Sequence, residues 1–218
     1  MIKQFLILFS LFVSIGATAQ LDSLPSDKDL GRQHINELRN GGALVVRLKA
    51  RTKTISAYLS SGNKSVADRI HEEDTKLNKK IVEAFVNEFR FCPVYFIYAN
   101  ASRQLINDGK AEFLNSQLQV DTSIHLKTEN FLLLDYGTSM LNESTNSYNY
   151  TYGHTTEGST PGNSQAFTIL DKQYSQLHSP FPYIVYLNPL EHNAFSKAVT
   201  RLNTKLFTYY AQTNKKKN

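Results

Sequence analysis

Apolar positions recur along this chain with two different periods, and the places where the period changes mark its elements. Ala43 to Leu48 is a short apolar run. Leu44, Val46 and Leu48 share one side and Ala43, Val45, Arg47 and Lys49 the other, a period of two that predicts a strand. From Asn63 to Phe89 the apolar positions Val66, Ile70, Leu77, Ile81, Phe85 and Phe89 keep a spacing of four or seven, which predicts a long helix with one charged face. Pro93 to Tyr98 is apolar on both faces and predicts a central strand covered on both sides. Strand, helical crossover and strand make an α/β unit, and the later strands are expected to add to its sheet.

The flanking pattern fills in the remaining elements. Ser26 is an N-cap with Asp29 three residues on, and Asn40-Gly41-Gly42 is a stop, so a short helix with Leu30, Ile35 and Leu38 inward leads into the first strand. A helical piece spans Thr54 to Ser60. The long helix lapses at Glu72-Glu73-Asp74, where a kink is expected, and that acidic run reads as a solvated face. Ala111 to Leu114 and Gln117 to Val120 read as a small hairpin, and Phe131 to Leu134 as a third core strand ending in Asp135-Tyr136-Gly137. Asn142 to Gln165 is a long polar loop rich in Ser, Thr, Asn, Gly and Tyr, a length that marks functional or disordered connections. Strands are expected again at Ala166 to Leu170 and Tyr183 to Leu187. The last helix is signalled by Asn188 as cap, Pro189 at the first position, Glu191 in a capping box, and the stripe Phe195, Ala198, Val199, Leu202, Leu206 and Tyr209 or Tyr210.

Arg47, Lys49 and Arg51 make the end of the first strand cationic. The expected setting is a strand near the sheet edge with these charges solvated or paired with carboxylates. The sharper alternative is anion binding at a strand's carboxyl end.

The fold class that follows is α/β: a single domain over residues 20–218 with a mixed central β-sheet and helices packed on it, preceded by a cleaved signal peptide over 1–19. Lys3, the apolar run Phe5 to Ile15 and the small residues Ala17-Thr18-Ala19 carry the signal-peptide reading. That run is too short to span a bilayer, and no later segment is apolar for long enough to do so. The mature chain is therefore expected to be secreted or periplasmic. Cys92 is the only cysteine and does not follow the signal sequence, so it is neither a lipoprotein anchor nor half of an intramolecular disulfide. Export without disulfides suits a bacterial envelope.

Charge changes little in this picture. The formal net charge is +5. Part of it belongs to a basic tail over 212–218, and no basic patch with interleaved aromatics marks a nucleic-acid surface.

Phosphate loops, Cys-x-x-Cys, His-Glu-x-x-His, Gly-x-Ser-x-Gly and calcium loops are missing, so no metal or cofactor is implied. Lone histidines lack ligand spacing. Two functional readings remain. In the first the protein is a non-enzymatic exported domain that binds an unknown partner protein or glycan through the 142–165 loop. Tyr148, Tyr150 and Tyr152 alternate there, a pattern shared by a short strand packed into the core and by an exposed face whose tyrosines supply large amphipathic contact area. The second is a hydrolase-like enzyme: Asp135 and Asp171 each follow an apolar strand, His154 lies between them, and acid and base partners must converge on one substrate.

Overall fold

The computed structural model describes residues 25–142, 147–151 and 163–215, with side chains for 25–138 and 164–215. The predicted signal peptide over 1–19 lies outside the described residues.

Ser26 opens α1 (Asp27–Arg39) as its sequence suggests, its hydroxyl accepting the Asp29 N–H. Gly42, just past the helix, has room for no side chain, because a Cβ would sit 2.5 Å from the Glu37 carbonyl. That close approach feeds the chain directly into β1 (Ala43–Leu48). It continues through α2 (Thr52–Ser60), which buries no residue, and the 25-residue α3 (Lys64–Glu88). It returns as β2 (Val94–Tyr98), parallel to β1. A short helix α4 (Ser102–Asp108) and an irregular segment lead to β3 (Phe131–Asn142), parallel to β1 on its other side. β4 (Ser147–Thr151) and β5 (Asn163–Leu170) both run antiparallel to β3. β6 (Ile184–Tyr186) pairs with β5, and α5 (Ala194–Thr213) ends the described fold.

The strand order is β2-β1-β3-β5-β6, with β4 attached to β3. The result is a single mixed α/β domain. Side-chain alternation splits its core into two layers. Leu44, Val46, Leu48, Leu132, Leu134, Phe167 and Ile169 face the larger layer, where α1, α3 and α5 contribute Ile35, Phe85 and Leu202. Ala43, Val45, Ile97, Leu133 and Leu170 face the smaller one, roofed by Leu105 of α4 and by Phe113.

Several expectations change in this frame. The first strand is central and the second lies at the sheet's edge, the reverse of the sequence reading. β2 is apolar on both faces because each layer reaches that far: Phe96 enters one and Ile97 the other. α3 is continuous through Glu72-Glu73-Asp74, and Asp74 is buried. The predicted 111–120 hairpin reduces to one bridge, Leu114 with Val120, and α4 was not expected.

The 142–165 stretch is not one loop. β3 reaches Asn142, β4 occupies Ser147–Thr151, and β5 begins at Asn163. Within 142–165 these strands carry no aliphatic residue, so hydrophobic periodicity marked β3 and β5 only by their apolar halves and β4 only by its alternating tyrosines. α5 starts at Ala194, later than the Asn188-Pro189-Glu191 signal. Asn188 Oδ1 instead accepts the Leu190 N–H in a turn, and Glu191 pairs with Arg201 at 3.0 Å.

Candidate functional site

The first two crossovers pass on opposite faces of the sheet. The β1 to β2 connection runs through α3 on the larger layer, while the β2 to β3 connection carries α4 across the smaller one. The winding therefore reverses between β1 and β3, and the carboxyl ends of strands at such a switch point are where open α/β sheets hold ligands.

Arg47 and Asp135 are register partners at that place. Arg47 Nη1 donates to Asp135 Oδ2 at 2.6 Å, and its Nε donates to Ser102 Oγ at 2.8 Å. Ser102 in turn donates to the Ala99 carbonyl. The Tyr174 ring lies over the guanidinium, 4.9 Å from its centroid. Asp135 is 1% exposed. Burial pushes its carboxyl up to about 6, although the Arg47 charge and hydrogen bond pull the other way. Its Oδ1 has no hydrogen-bond partner among the described residues. The same holds for Oγ1 of Thr168, which faces Asp135 across the β3–β5 ladder.

A second polar group fixes the chain as it leaves β1. Asn78 of α3, itself buried, accepts the Lys49 N–H at 2.9 Å and donates to the Lys49 carbonyl at 2.8 Å. Arg51 Nε donates to Asp74 Oδ1 at 2.9 Å, and Nη2 donates to Glu73 Oε2 at 3.0 Å. Burial lowers the Lys49 ammonium, with Arg51 acting the same way and Asp74 and Glu73 opposing. Among the described residues Lys49 makes no ion pair, whereas Arg47 and Arg51 both do.

The other candidates fall in different places. Because β5 is antiparallel to β3, its carboxyl end lies away from those of β1 and β3. Asp171, just past that end, is three positions beyond Thr168, roughly 10 Å at strand rise. Its Oδ1 accepts the N–H groups of Gln173 and Ser175, both at 2.8 Å, an Asx turn. That turn holds Tyr174 at φ 62° and so presents its ring to Arg47, the partner of Asp135. Tyr148 and Tyr150 lie in β4, opposite Leu141 and Ser139 of β3. Tyr152 and His154 lie outside the described residues.

Sequence reasoning noted Arg47 and Asp135 separately and missed their pairing. The available signal was one charge of each sign at the end of two apolar strands. Among the described residues no group of three or more His, Cys, Asp or Glu side chains is placed to hold a metal ion, and no helix is long and apolar enough to cross a membrane. Comparison with known proteins gives no match to any family model, curated protein or solved structure.

Proposed function

We propose that the protein is an exported, non-catalytic binding domain whose recognition surface is the chain between the outer half of β3 and the start of β5. The observation that carries this reading is the length of β3. Its pairing with β1 ends at Asp135, yet it continues to Asn142 alongside β4. The hairpin thus projects beyond the carboxyl end of β1, where ligands gather in α/β sheets. β4 is built of hydroxyl, amide and tyrosine side chains, the chemistry of adaptable contact surfaces. The partner is a protein or a glycan of the cell envelope.

Replacing Tyr148, Tyr150 and Tyr152 together by alanine tests this. Stability should fall by about 1 kcal/mol or less, as at exposed positions. Binding to isolated envelope or extracellular polysaccharide should weaken about tenfold or more, as when interface aromatics are truncated. A triple variant that fails to fold would make the tyrosines core residues and overturn the reading.

The hydrolase-like alternative keeps one observation in its favour: Asp135 is a buried carboxyl raised to about 6 at the switch point, as acid catalysts are. Hydrolysis that titrates near that pH and vanishes in Asp135→Asn would select it.

A further inference from the structure

We infer that Asp135 and Thr168 together bind one hydroxyl group of a neutral sugar, with Tyr174 at the entrance to the site. This rests on the binding-domain reading and narrows its partner to a glycan, held at the base of the hairpin that β3 and β4 form.

Two polar atoms at the switch point are buried without hydrogen-bond partners among the described residues: Asp135 Oδ1 and Thr168 Oγ1, on residues 1% and 0% exposed. Folded proteins rarely leave such groups unpaired, and each one calls for an explanation. Their surroundings in the sheet supply none. On the same face the neighbouring register pairs are Leu133 with Leu170 and Gly137 with Ala166, and Ile184 of β6 lies beside Thr168. None of these side chains can donate or accept. Arg47 Nη1 is directed at Asp135 Oδ2, and Ser102 Oγ is taken up by Arg47 and the Ala99 carbonyl. A partner for the two oxygens has to come from outside the sheet.

Charge and spacing define the chemistry of that partner. Asp135 and Arg47 offset one another at 2.6 Å, so a neutral group leaves the site neutral, whereas a charged one would be buried without a counter-ion. Side chains directly opposed on neighbouring strands have Cβ atoms about 5 Å apart, a gap that one oxygen bridges by hydrogen bonds to both sides. A hydroxyl does this through a single atom, donating to Asp135 Oδ1 while accepting from Thr168 Oγ1. A sugar carries several such hydroxyls together with apolar C–H faces, and Tyr174 suits the latter. Its ring lies 4.9 Å from the Arg47 guanidinium, and at 41% exposure it is the most exposed of the groups around the pair. The turn that follows β5 holds it at φ 62°, a conformation uncommon for a bulky side chain. Displacing that ring uncovers Arg47 and opens the way to Asp135.

The test uses the full mature chain, with binding followed by calorimetry and by the NMR signal of the Thr168 methyl group. The probes are the methyl glycosides of glucose, galactose, mannose and N-acetylglucosamine, with glucuronate as the charged control. At least one neutral glycoside should shift that signal in a saturable way. Thr168→Val keeps the shape and removes the hydroxyl. It should weaken binding about tenfold or more without lowering the melting curve, because it deletes an unpaired buried polar group. Thr168→Ser should restore binding. Ser102 of α4, Thr168 of β5 and Tyr174 of the following turn surround the pair, and Arg47 of β1 supplies the charge that acts on the Asp135 carboxyl. Only the carboxylate accepts at Oδ1. With that carboxyl at about 6, binding should be about tenfold weaker at pH 5 than at pH 7, and Asp135→Asn should remove the dependence.

A Thr168 methyl signal unmoved by every glycoside, or undiminished binding by Thr168→Val, would overturn the inference. A preference for glucuronate that grows as pH falls would make this an anion site and overturn it too. So would a crystal structure grown with the glycoside that shows only a water between Asp135 and Thr168. If Thr168→Val does not fold, the wild-type methyl shift and its pH profile decide alone. If no glycoside binds while the tyrosine triple variant loses envelope attachment, this site fails and the binding-domain reading stands. If a glycoside binds at Thr168 while the triple variant keeps full attachment, the hairpin surface fails and this site stands.

Discussion

At the scale of single residues, Asp135 joins the fold to its own titration. Its folded pKa of about 6 lies above the ordinary 3.8 because burial outweighs Arg47. The native state therefore holds this proton more tightly than the unfolded chain does. The contribution is fully present below about pH 4, is lost as pH rises through 6, and amounts to roughly 3 kcal/mol at 1.36 kcal/mol per unit. When protonated, Asp135 can donate from Oδ1, and the unpartnered Thr168 Oγ1 on the facing position is an acceptor. Asp135→Asn keeps an acceptor for Arg47 and removes the buried charge. Denaturant titrations at pH 4.5 and 7 should show the variant without this pH-dependent component and, at pH 7, within about 1 kcal/mol of wild type. Asp135→Leu should cost about 3 to 5 kcal/mol by stranding Arg47.

Asn78 belongs to the same scale, and the sequence reading passed over it although its position carried a signal. Ile70, Asp74 and Asn78 follow one another at intervals of four on α3, so two polar residues occupy the inward stripe. The run Glu72-Glu73-Asp74 disguised this, because its first two members are exposed. Asn78→Ala leaves the Lys49 N–H and carbonyl without these partners and should cost about 1 to 3 kcal/mol. A shifted urea midpoint with an unchanged slope would confirm it, and an unshifted midpoint would show that water replaces the amide. The Arg47–Asp135 pair was not legible in this way. Its members are 88 residues apart, and only strand register brings them together.

At the scale of elements, three of the five described helices and the first two strands were legible, and α4 was not. A helix carries its signal within a few turns, and α1, α2 and α3 appear within two residues of the expected bounds. For α5 the stripe was read correctly and the start was not, because a cap residue can serve a turn as well as a helix. Ala198, Val199, Leu202 and Leu206 are fully buried in the larger core layer. Leu202→Ala should therefore destabilise the protein by about 2 to 5 kcal/mol. An unchanged thermal melt would make α5 a peripheral element. Strands inherit their place from partners distant in sequence. The apolar run Val94–Tyr98 gave no sign that β2 lies at the edge, and β4 announced itself only by its alternating tyrosines.

At the scale of the whole molecule, the proposed export and the lone cysteine constrain each other. An oxidising compartment offers a single exposed thiol only intermolecular pairing, so an exported chain with one cysteine benefits from an unreactive one. Cys92 lies at the entry to β2, where burial pushes its thiol up to about 12 despite the Leu44 backbone and Arg39 charge acting in the opposite direction. At pH 7 only about one molecule in 100,000 would carry the thiolate that attacks a disulfide, far below an ordinary cysteine. The fold thus makes the thiol compatible with the destination read from residues 1–19. Intact protein recovered from the envelope or medium of its host should have the mass of a chain beginning at Gln20, with a free thiol and no reducible dimer. A retained Met1 would remove the case for cleavage and export. A disulfide-linked dimer beginning at Gln20 would leave export standing and show that the start of β2 opens far enough for Cys92 to react.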